Sequence, residues 1–323
     1  MNSHRPLLAA FAIVFLACGQ PTPKSHAAST PAASPTPSKP APALLQVENA
    51  PEARPHSGLQ DANIVYEYLT EGGITRFTVV FFDPHGSQKV GPDRSARLVA
   101  LRLVKSYRGV LFYSGASDYV QGKIWDSKVP NLTDSSDGGR YFARDASRRA
   151  PHNLFTTPDQ IAQGVQKSGA RIIYTLPAPA EPAGQGPAVS KLSFDQTFVH
   201  HVDYSYDPGS KTYQYKTDNS GLETDVANGN QPIKITNVVV LRVPHHGAGY
   251  TEDVRGEEGI DFDLQGQGKA AVYTRGQQFD ATWDLSQPDQ PLRLLGADGK
   301  DLALPQGLTW VHLADPDMAI STS

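Results

Sequence analysis

The hydrophobic pattern that follows residue 43 predicts short strands more often than helices. Three early segments carry runs of β-branched and aromatic residues, or alternate apolar with polar positions, and both patterns favour strands. Those segments are residues 43–48 (ALLQVE), 64–69 (IVYEYL) and 74–82 (ITRFTVVFF). Residues 70–73 (TEGG) connect the last two segments. A loop of that length predicts a β-hairpin.

A hairpin with this loop would place Glu67 directly opposite Arg76. Alternation puts Glu67 on the same strand face as Val65 and Leu69. A carboxylate among apolar side chains is costly unless a charged partner compensates it. The sequence therefore predicts a cross-strand ion pair between Glu67 and Arg76. Two interpretations stay open: an exposed pair of little energetic value, or the charged floor of a cleft.

A helix is predicted directly after the hairpin. Gly91-Pro92 would end a strand, and Asp93 is a favourable N-cap for the mostly apolar residues 94–106. Residues 109–114 (GVLFYS) predict a buried strand, so this helix would lie against a sheet in an α/β layer. Residues 115–150 are loop-rich.

A second helix is predicted by its capping residues. Thr157 is a favourable N-cap, Pro158 suits the first helical position and Gln160 completes a capping box. Gly169 is a favourable C-terminal end for this helix.

The second half of the chain predicts strands at short spacing with few helical patterns. Residues 177–189 are rich in Pro, Gly and Ala and predict a linker. The predicted fold class is α+β: a mixed α/β N-terminal domain at residues 44–176, followed by a smaller β-rich C-terminal domain at residues 190–315. Residues 316–323 are predicted to be a tail.

The amino terminus carries a secretion signal. Residues 7–17 (LLAAFAIVFLA) form an apolar run that is too short to span a bilayer comfortably, and Arg5 precedes it. The small residue Ala17 followed by Cys18 resembles a bacterial lipobox, in which the cysteine is lipidated and becomes the first mature residue. This predicts a signal peptide at residues 1–18 and an extracytoplasmic protein anchored to a bacterial membrane through acyl chains on Cys18. A plain signal peptide or an uncleaved anchor are the alternatives.

Residues 19–43 predict a disordered tether between the anchor and the folded part. They contain seven Pro, six Ala, four Ser and three Thr and show no apolar periodicity. Such a segment cannot bury enough surface to offset its ordering entropy.

Composition excludes several functions. The 323 residues carry a formal charge of −4 with no basic block, so a dedicated nucleic-acid surface is not expected. Cys18 is the single cysteine, which excludes an internal disulfide, a cysteine-based zinc site and a thiol nucleophile. The pairs His200-His201 and His245-His246 lie in predicted strands, where neighbours point to opposite faces. We therefore expect no metal site, and nothing in the sequence indicates a cofactor.

Arginines, carboxylates and one histidine are the candidate site residues. Arginines at the start of the first helix would oppose its dipole, so we expect a carboxylate or a bound anion near them, unless both are simply solvated. A histidine in the loop before the second helix could be structural, or could bind a ligand or transfer a proton. The acid or base candidates are Glu48, Glu67, Glu71 and His152, and the ligand-binding candidates are Arg54, Arg76, Arg94, Arg97 and Asn153.

Several motifs resemble the YerB-like lipoprotein family, a bacterial family classed as a domain of unknown function. Those in the first half are residues 48–55 (ENAPEARP), 57–59 (SGL), 64–67 (IVYE), 71–77 (EGGITRF), 91–92 (GP), 94–97 (RSAR) and 151–154 (PHNL). Weaker matches in the second half are residues 237–240 (NVVV), Gly276, Trp283, Gly299, Gly307 and Trp310. The resemblance implies an α+β N-terminal domain and a small β domain, and implies no activity. Asp93 stands where the family usually has a hydrophobic residue.

Three functions remain open at this point. The first is a binding module that holds an anionic envelope glycan, a peptidoglycan fragment or an envelope protein in an Arg/Glu cleft, because arginine recognises carboxylates and phosphates. The second is a carboxylate-dependent enzyme that acts on cell-wall polymers. The third is a structural partner of an envelope complex that makes its contact through the β-rich domain.

Overall fold

The computed structural model describes residues 38–135, 137–218, 221–287 and 290–323. The predicted signal peptide, Cys18 and residues 19–37 of the predicted tether lie outside the described residues. The described residues belong to one compact unit.

The first half of the chain alternates short strands with three α-helices. The helices are α1 (Leu98–Ser106), α2 (Asp118–Ser127) and α3 (Pro158–Ser168). The strands are β1 (Lys39–Pro40), β2 (Ala43–Glu48), β3 (Ile64–Leu69), β4 (Thr75–Phe81), β5 (Val110–Tyr113), β6 (Asn131–Thr133), β7 (Ala143–Arg144), β8 (Leu154–Phe155) and β9 (Arg171–Ile172).

The second half contains only strands and connecting loops within the described residues. They are β10 (Lys191–Thr197), β11 (His200–Asp207), β12 (Thr212–Thr217), β13 (Thr224–Asp225), β14 (Gln231–Pro232), β15 (Lys234–Ile235), β16 (Asn237–Arg242), β17 (His245–Thr251), β18 (Glu258–Phe262), β19 (Gly266–Thr274), β20 (Gln277–Leu285), β21 (Arg293–Leu295), β22 (Thr309–Ala314) and β23 (Ser321–Thr322). The described residues are sheet-rich, with 42% in strands and 14% in helices. The α+β class is therefore confirmed only in part, because the first half is less helical than a mixed α/β domain.

A ten-stranded sheet runs through both halves of the chain. Its strand order is β21-β20-β19-β16-β22-β3-β4-β2-β5-β6. The two halves meet where β22 pairs in parallel with β3. Strands β15, β12, β11, β10 and β23 form a second sheet of five strands. The boundary at residues 177–189 stays a prediction, but the strands on either side of it share a sheet.

Each face of the large sheet carries its own hydrophobic core. On one face, which we call the α1 face, Leu44, Tyr66 and Val80 pack with residues of α1 and α2. On the other, the second-sheet face, Leu45 and Val65 pack with α3 and with the five-stranded sheet. Because side chains alternate along a strand, residues next to each other in sequence belong to different cores.

The predicted hairpin forms with a different register. In the structure Glu67 lies opposite Phe77, and Arg76 lies opposite Tyr68. The predicted ion pair between Glu67 and Arg76 is therefore wrong. A one-residue slip sends a side chain to the other face, because the connection between the strands runs from Thr70 to Ile74, one residue longer than predicted. Glu67 lies on the second-sheet face and Arg76 on the α1 face.

The first helix begins later than predicted. Arg97 occupies the N-cap position of α1 without a side-chain cap, so the predicted N-cap role of Asp93 is wrong. Residues 92–96 do not join the helix, because their backbone groups form hydrogen bonds with residues of β2 instead. The amide of Glu48 donates to the Pro92 carbonyl, and the amide of Arg94 donates to the Gln46 carbonyl.

Two further differences concern segments predicted to be irregular. Helix α2 lies within the stretch predicted to be loop, and its N-cap Ser117 accepts a hydrogen bond from the Val120 amide. Residues 39–43 of the predicted tether are folded. Strand β1 pairs with β9, and Ala41 is buried. Composition misses this because the pairing partner lies about 130 residues further along the chain.

Several predicted elements are confirmed. Helix α3 has Thr157 as its N-cap, Pro158 in its first turn and Gly169 at its C-terminal end. In the second half, β11 pairs with β12 and β19 pairs with β20, which agrees with the predicted strands at short spacing.

Candidate functional site

A cluster of polar side chains lies at the carboxyl end of β2 on the α1 face. Glu48 is the last residue of β2, and β2 runs parallel to β5. The carboxyl ends of parallel strands are a common place for ligand sites. Residues 92–96 lie at the ends of these two strands. The Ser114 amide donates a hydrogen bond to the Arg94 carbonyl, and the Glu48 amide donates one to the Pro92 carbonyl. Gly91 makes this path possible with φ +143°, and an added Cβ would lie 3.0 Å from the Leu154 carbonyl oxygen.

Glu48 is held between Arg94 and His152, and we call these three residues the Glu48 cluster. Arg94 Nε donates to Glu48 Oε1 at 3.0 Å, and His152 Nδ1 donates to Glu48 Oε2 at 2.8 Å. Only 2% of the Glu48 side chain is exposed, against 31% for Arg94 and 20% for His152. The carboxylate is therefore buried, while its two partners are accessible to a solute.

Arg76 is a buried cation behind the Glu48 cluster. It faces Glu48 across the β2–β4 pairing, and its Nη1 donates to the Ser95 carbonyl at 2.7 Å. Its Nε has no hydrogen-bond partner, and no carboxylate among the described residues lies within 4 Å of its guanidinium. Burial and the nearby charge of Arg97 lower the pKa of Arg76 to about 10. Arg76 thus adds positive charge to this end of the sheet at neutral pH.

Asp93 is buried beside the same strands and is unpartnered. Neither of its carboxyl oxygens has a hydrogen-bond partner in the described part of the chain. Burial raises the pKa of Asp93 well above its usual range, and the charge of Asp134 raises it further. The raised pKa favours the neutral form of Asp93. Asp93 was not among the predicted site residues.

Arg97 pairs with carboxylates instead of facing solvent. Its Nε and Nη2 contact the Glu71 carboxylate at 2.8–3.0 Å, and its Nη1 lies 3.0 Å from Glu252 Oε1. The expected compensation of the two arginines is confirmed, because Glu48 pairs with Arg94 and Glu71 with Arg97. Glu252 was not predicted, since it lies about 150 residues further along the chain.

Glu67 belongs to a separate group on the second-sheet face, which we call the Glu67 network. His200 Nε2 donates to Glu67 Oε1 at 2.8 Å, and Trp310 Nε1 donates to Oε2 at 2.8 Å. Tyr215 and Thr75 also donate to this carboxylate, at 3.0 Å and 2.8 Å. Glu67 is completely buried, so no polymer can reach it in this structure.

The charges of the Glu67 network are compensated internally. Burial alone would raise the pKa of Glu67, but the hydrogen bond and the charge of His200, together with the Trp310 N–H, outweigh it and hold the pKa well below its ordinary value. The carboxylates of Glu67 and Asp218 raise the pKa of His200 against the effect of burial. Burial lowers the pKa of His312 to about 4, which leaves that ring neutral at pH 7.

Arg54 and Asn153 make contacts that stabilise the fold. Arg54 contacts Asp218 at 3.1 Å and Glu223 at 3.2 Å, and so ties the first half of the chain to the second. Asn153 accepts a hydrogen bond from Arg144 and donates one to the Asp145 carbonyl. The structure therefore brings Glu48, Arg76, Arg94 and His152 together, and places Glu67, Arg54 and Asn153 elsewhere.

Sequence reasoning missed most of the Glu67 network. His200 could have been found, because it shares a strand face with Val202 and Tyr204, which predicts a buried histidine that needs a partner. Asp218, Tyr215, Trp310 and His312 come from distant strands and gave no local signal. No group of three or more His, Cys, Asp or Glu residues in the described ranges could hold a metal ion.

The fold and the cluster define a sheet-rich α+β protein with an accessible Arg–Glu–His group and no recognised catalytic motif. Two family models match the chain: "Protein of unknown function (DUF3048) N-terminal domain" over residues 29–171, and the C-terminal domain of the same family over residues 192–311. The chain belongs to this family of proteins of unknown function, as the resemblance to YerB-like proteins predicted.

One curated relative and one solved structure support this assignment. The chain is 27% identical over 284 residues to "Putative lipoprotein YerB" of Bacillus subtilis (strain 168), covering 86% of this chain and 82% of that protein. It also matches the crystal structure of YerB from Bacillus subtilis with a TM-score of 0.72, over 88% of this chain and 94% of the other. Among the residues described here, no helix is long and apolar enough to cross a membrane.

Proposed function

We propose that this protein is an extracytoplasmic lipoprotein that binds anionic groups of an envelope glycan, a peptidoglycan fragment or an envelope protein at the Glu48 cluster. The lipobox-like Cys18 and the printed name of the relative support the anchor. The observation that carries the binding role is the pairing of a buried Glu48 with two accessible partners, Arg94 and His152, in front of the unpaired Arg76.

Charge favours an anion at this position. The guanidinium groups of Arg94 and Arg76 stand against the charge of Glu48, and the raised pKa of Asp93 favours its neutral form. A carboxylate or phosphate could accept hydrogen bonds from the guanidinium of Arg94 while Glu48 keeps that side chain in place. Because Glu48 and Arg76 are already ordered by the sheet, less conformational entropy is lost on binding.

A retention assay on purified cell-wall material tests this role. We expect the chain from residue 19 to be retained, and Arg94→Gln to weaken retention about tenfold or more, the loss typical of a charged hydrogen bond. Arg293→Gln is the matched control, because Arg293 is 42% exposed and also pairs with one carboxylate, Asp301, away from the cluster. Equal retention of both variants would count against binding at the Glu48 cluster.

The alternative of a carboxylate-dependent enzyme rests on the bond between Glu48 and His152. A histidine that donates Nδ1–H to a carboxylate has Nε2 left to accept a proton, which is the arrangement of a general base. Glu67 and Glu71 give this alternative little support, since one is sealed in the core and the other pairs with Arg97. Soluble fragments released from wall polymers by the protein, and lost in both Glu48→Gln and His152→Gln, would favour the enzyme.

The third alternative is a structural partner of an envelope complex. It rests on the turn between β10 and β11, where Phe198 is 85% exposed and Val199 is 53% exposed. Capture of an envelope protein that is lost in Phe198→Ser but kept in Arg94→Gln would favour it over binding at the Glu48 cluster.

A further inference from the structure

A large open groove lies between α1 and α2, away from the Glu48 cluster. Its volume is about 1140 Å³, and residues of β18, β20 and β9 complete its walls. No residue of the Glu48 cluster lines it. A groove of this size can hold a ligand rather than a single ion.

The groove is strongly basic in an acidic protein. Among the described residues of its lining there is a single carboxylate, Asp261, whereas the whole chain carries a formal charge of −4. Six cationic side chains line the groove: Arg102, Lys105, Arg108, Lys123, Lys128 and Arg171. Such a concentration of one charge raises the local concentration of anions.

Most of these cations form no ion pair within the described residues. Arg102 is paired with Asp261. Within the described ranges no carboxylate lies within 4 Å of Lys105, Lys123, Lys128 or Arg171, and all four side chains are exposed. Their charge is therefore available to a ligand.

The walls between the cations include apolar side chains. Leu98, Val129 and Leu285 line the same groove and are partly exposed, and Tyr119 beside them is exposed. A soluble polyanion would gain no favourable contact from these apolar side chains. An amphipathic ligand with a phosphate head and an apolar body matches both the charge and the walls.

The groove also adjoins the start of the described chain. Arg171, one of its lining cations, donates Nε–H to Ser38 Oγ at 2.8 Å and Nη2–H to the Ser38 carbonyl at 2.5 Å. Residues 19–37 alone connect this point to Cys18, and nineteen residues can span at most about 65 Å. A membrane that holds the predicted anchor is therefore within reach of the groove.

We propose that this groove binds the phosphate headgroups of anionic lipids in the membrane to which the protein is anchored. The inference rests on the membrane anchoring in the proposed function, but not on binding at the Glu48 cluster. Contact with the headgroups would add a second attachment to the acyl anchor, and would fix which side of the protein faces the lipid.

Vesicle co-sedimentation tests the proposal with the chain from residue 19, which lacks the lipid but contains the whole compact unit. We expect binding to vesicles of phosphatidylglycerol and phosphatidylcholine, and none to phosphatidylcholine alone. Binding should weaken when NaCl rises from about 0.1 M to about 0.5 M, because salt screens exposed charges. Lys105→Glu with Lys123→Glu should weaken it about tenfold or more.

A matched control separates groove binding from general charge. Lys191→Glu with Lys269→Glu makes the same charge change at exposed lysines outside the groove, and should leave vesicle binding nearly unchanged. An equal loss in both double variants, or equal binding to neutral vesicles, would overturn the proposal. Binding of soluble polyphosphate that is lost in the groove variant, without binding to anionic vesicles, would overturn the lipid assignment and favour a polymer.

Arg94→Gln distinguishes this proposal from the proposed function. We expect that variant to bind anionic vesicles like the unaltered chain. If wall retention fails while vesicle binding depends on the groove lysines, only the role of the Glu48 cluster is lost. If the reverse holds, only the lipid role of the groove is lost.

Discussion

Glu48 and Glu67 are two buried carboxylates on opposite faces of one sheet, and each accepts a hydrogen bond from a histidine at 2.8 Å. They differ in what covers them. Glu67 lies under a second sheet, and Trp310, Tyr215 and His200 all donate to it. Glu48 lies at the end of β2, where its partners remain partly exposed. The same residue types thus stabilise the core on the second-sheet face and form an accessible site on the α1 face.

This comparison shows why carboxylate–histidine pairs alone do not identify a site. A fully satisfied buried network rigidifies the fold and has no capacity left for a ligand. An accessible pair keeps hydrogen-bonding capacity on its solvent side. The solvent exposure of the partner side chain, and not the carboxylate–histidine hydrogen bond, distinguishes an accessible site from a structural network.

Glu67→Gln should have the largest effect of the variants considered. It removes the charge that pairs with His200 while keeping the shape of the side chain. Breaking a buried ion pair on one side typically costs about 3–5 kcal/mol, and we expect a loss of that size in the free energy of unfolding. Urea unfolding measures it. Glu48→Gln is the control and should cost less than half as much, since its partners can be solvated.

Asp93→Leu should change stability in the opposite direction. It replaces a buried carboxyl group without a hydrogen-bond partner by an apolar side chain of similar size. Because an unsatisfied buried polar group costs about 1–3 kcal/mol, we expect a gain of that order in the free energy of unfolding. Thermal and urea unfolding at pH 7 measure it. A clear loss of stability would mean that the Asp93 carboxyl makes a favourable interaction that the structure does not contain.

The pH dependence of stability distinguishes His200 in the Glu67 network from His152 in the Glu48 cluster. The pKa of His200 is raised above 6.5, so between that value and its folded pKa the folded state holds a proton that the unfolded state has released. Stability from His200 is therefore complete below pH 6.5 and is lost as pH rises through the folded pKa, by up to about 1.4 kcal/mol per pH unit. His200→Gln should remove this part of the profile. In His152→Gln it should persist.

Arg94→Gln should have the smallest effect on stability. Because the ion pair with Glu48 is partly exposed on the arginine side, we expect a loss of about 0–1 kcal/mol. The same variant is expected to weaken wall retention strongly. A large stability loss together with unchanged retention would make the Glu48 cluster a second structural brace and remove the difference from the Glu67 network.

Local signals predicted the elements that depend on local chemistry. Thr157, Pro158 and Gly169 fix the ends of α3, and these capping preferences act within one helical turn. The strand runs at residues 43–48 and 64–69 were predictable for the same reason, since β-branched and aromatic residues favour extended backbone. The need of Arg94 and Arg97 for carboxylates was also predictable, because it follows from charge near a helix start.

Contacts between distant segments were not predictable in this way. The register of β3 and β4 depended on one additional residue in the turn, and that slip moved Glu67 away from Arg76. Asp93 was predicted to cap a helix that begins at residue 94, but residues 92–96 make backbone hydrogen bonds at the ends of β2 and β5 instead. Helix α2 has a weak apolar pattern and forms because Val120 and Ile124 pack on the sheet.

The sequence by itself determined the strand-rich composition, the ends of α3, the single cysteine behind a short apolar run and the requirement for charge compensation. Only the tertiary structure decided that Glu48 is accessible through its partners, that Glu67 is sealed by strands from the second half, and that six cations converge on one groove. The physical reason is the distance along the sequence over which each effect acts. Propensity and capping act over a few residues, whereas burial, register and charge convergence depend on segments that the chain brings together from more than a hundred residues apart.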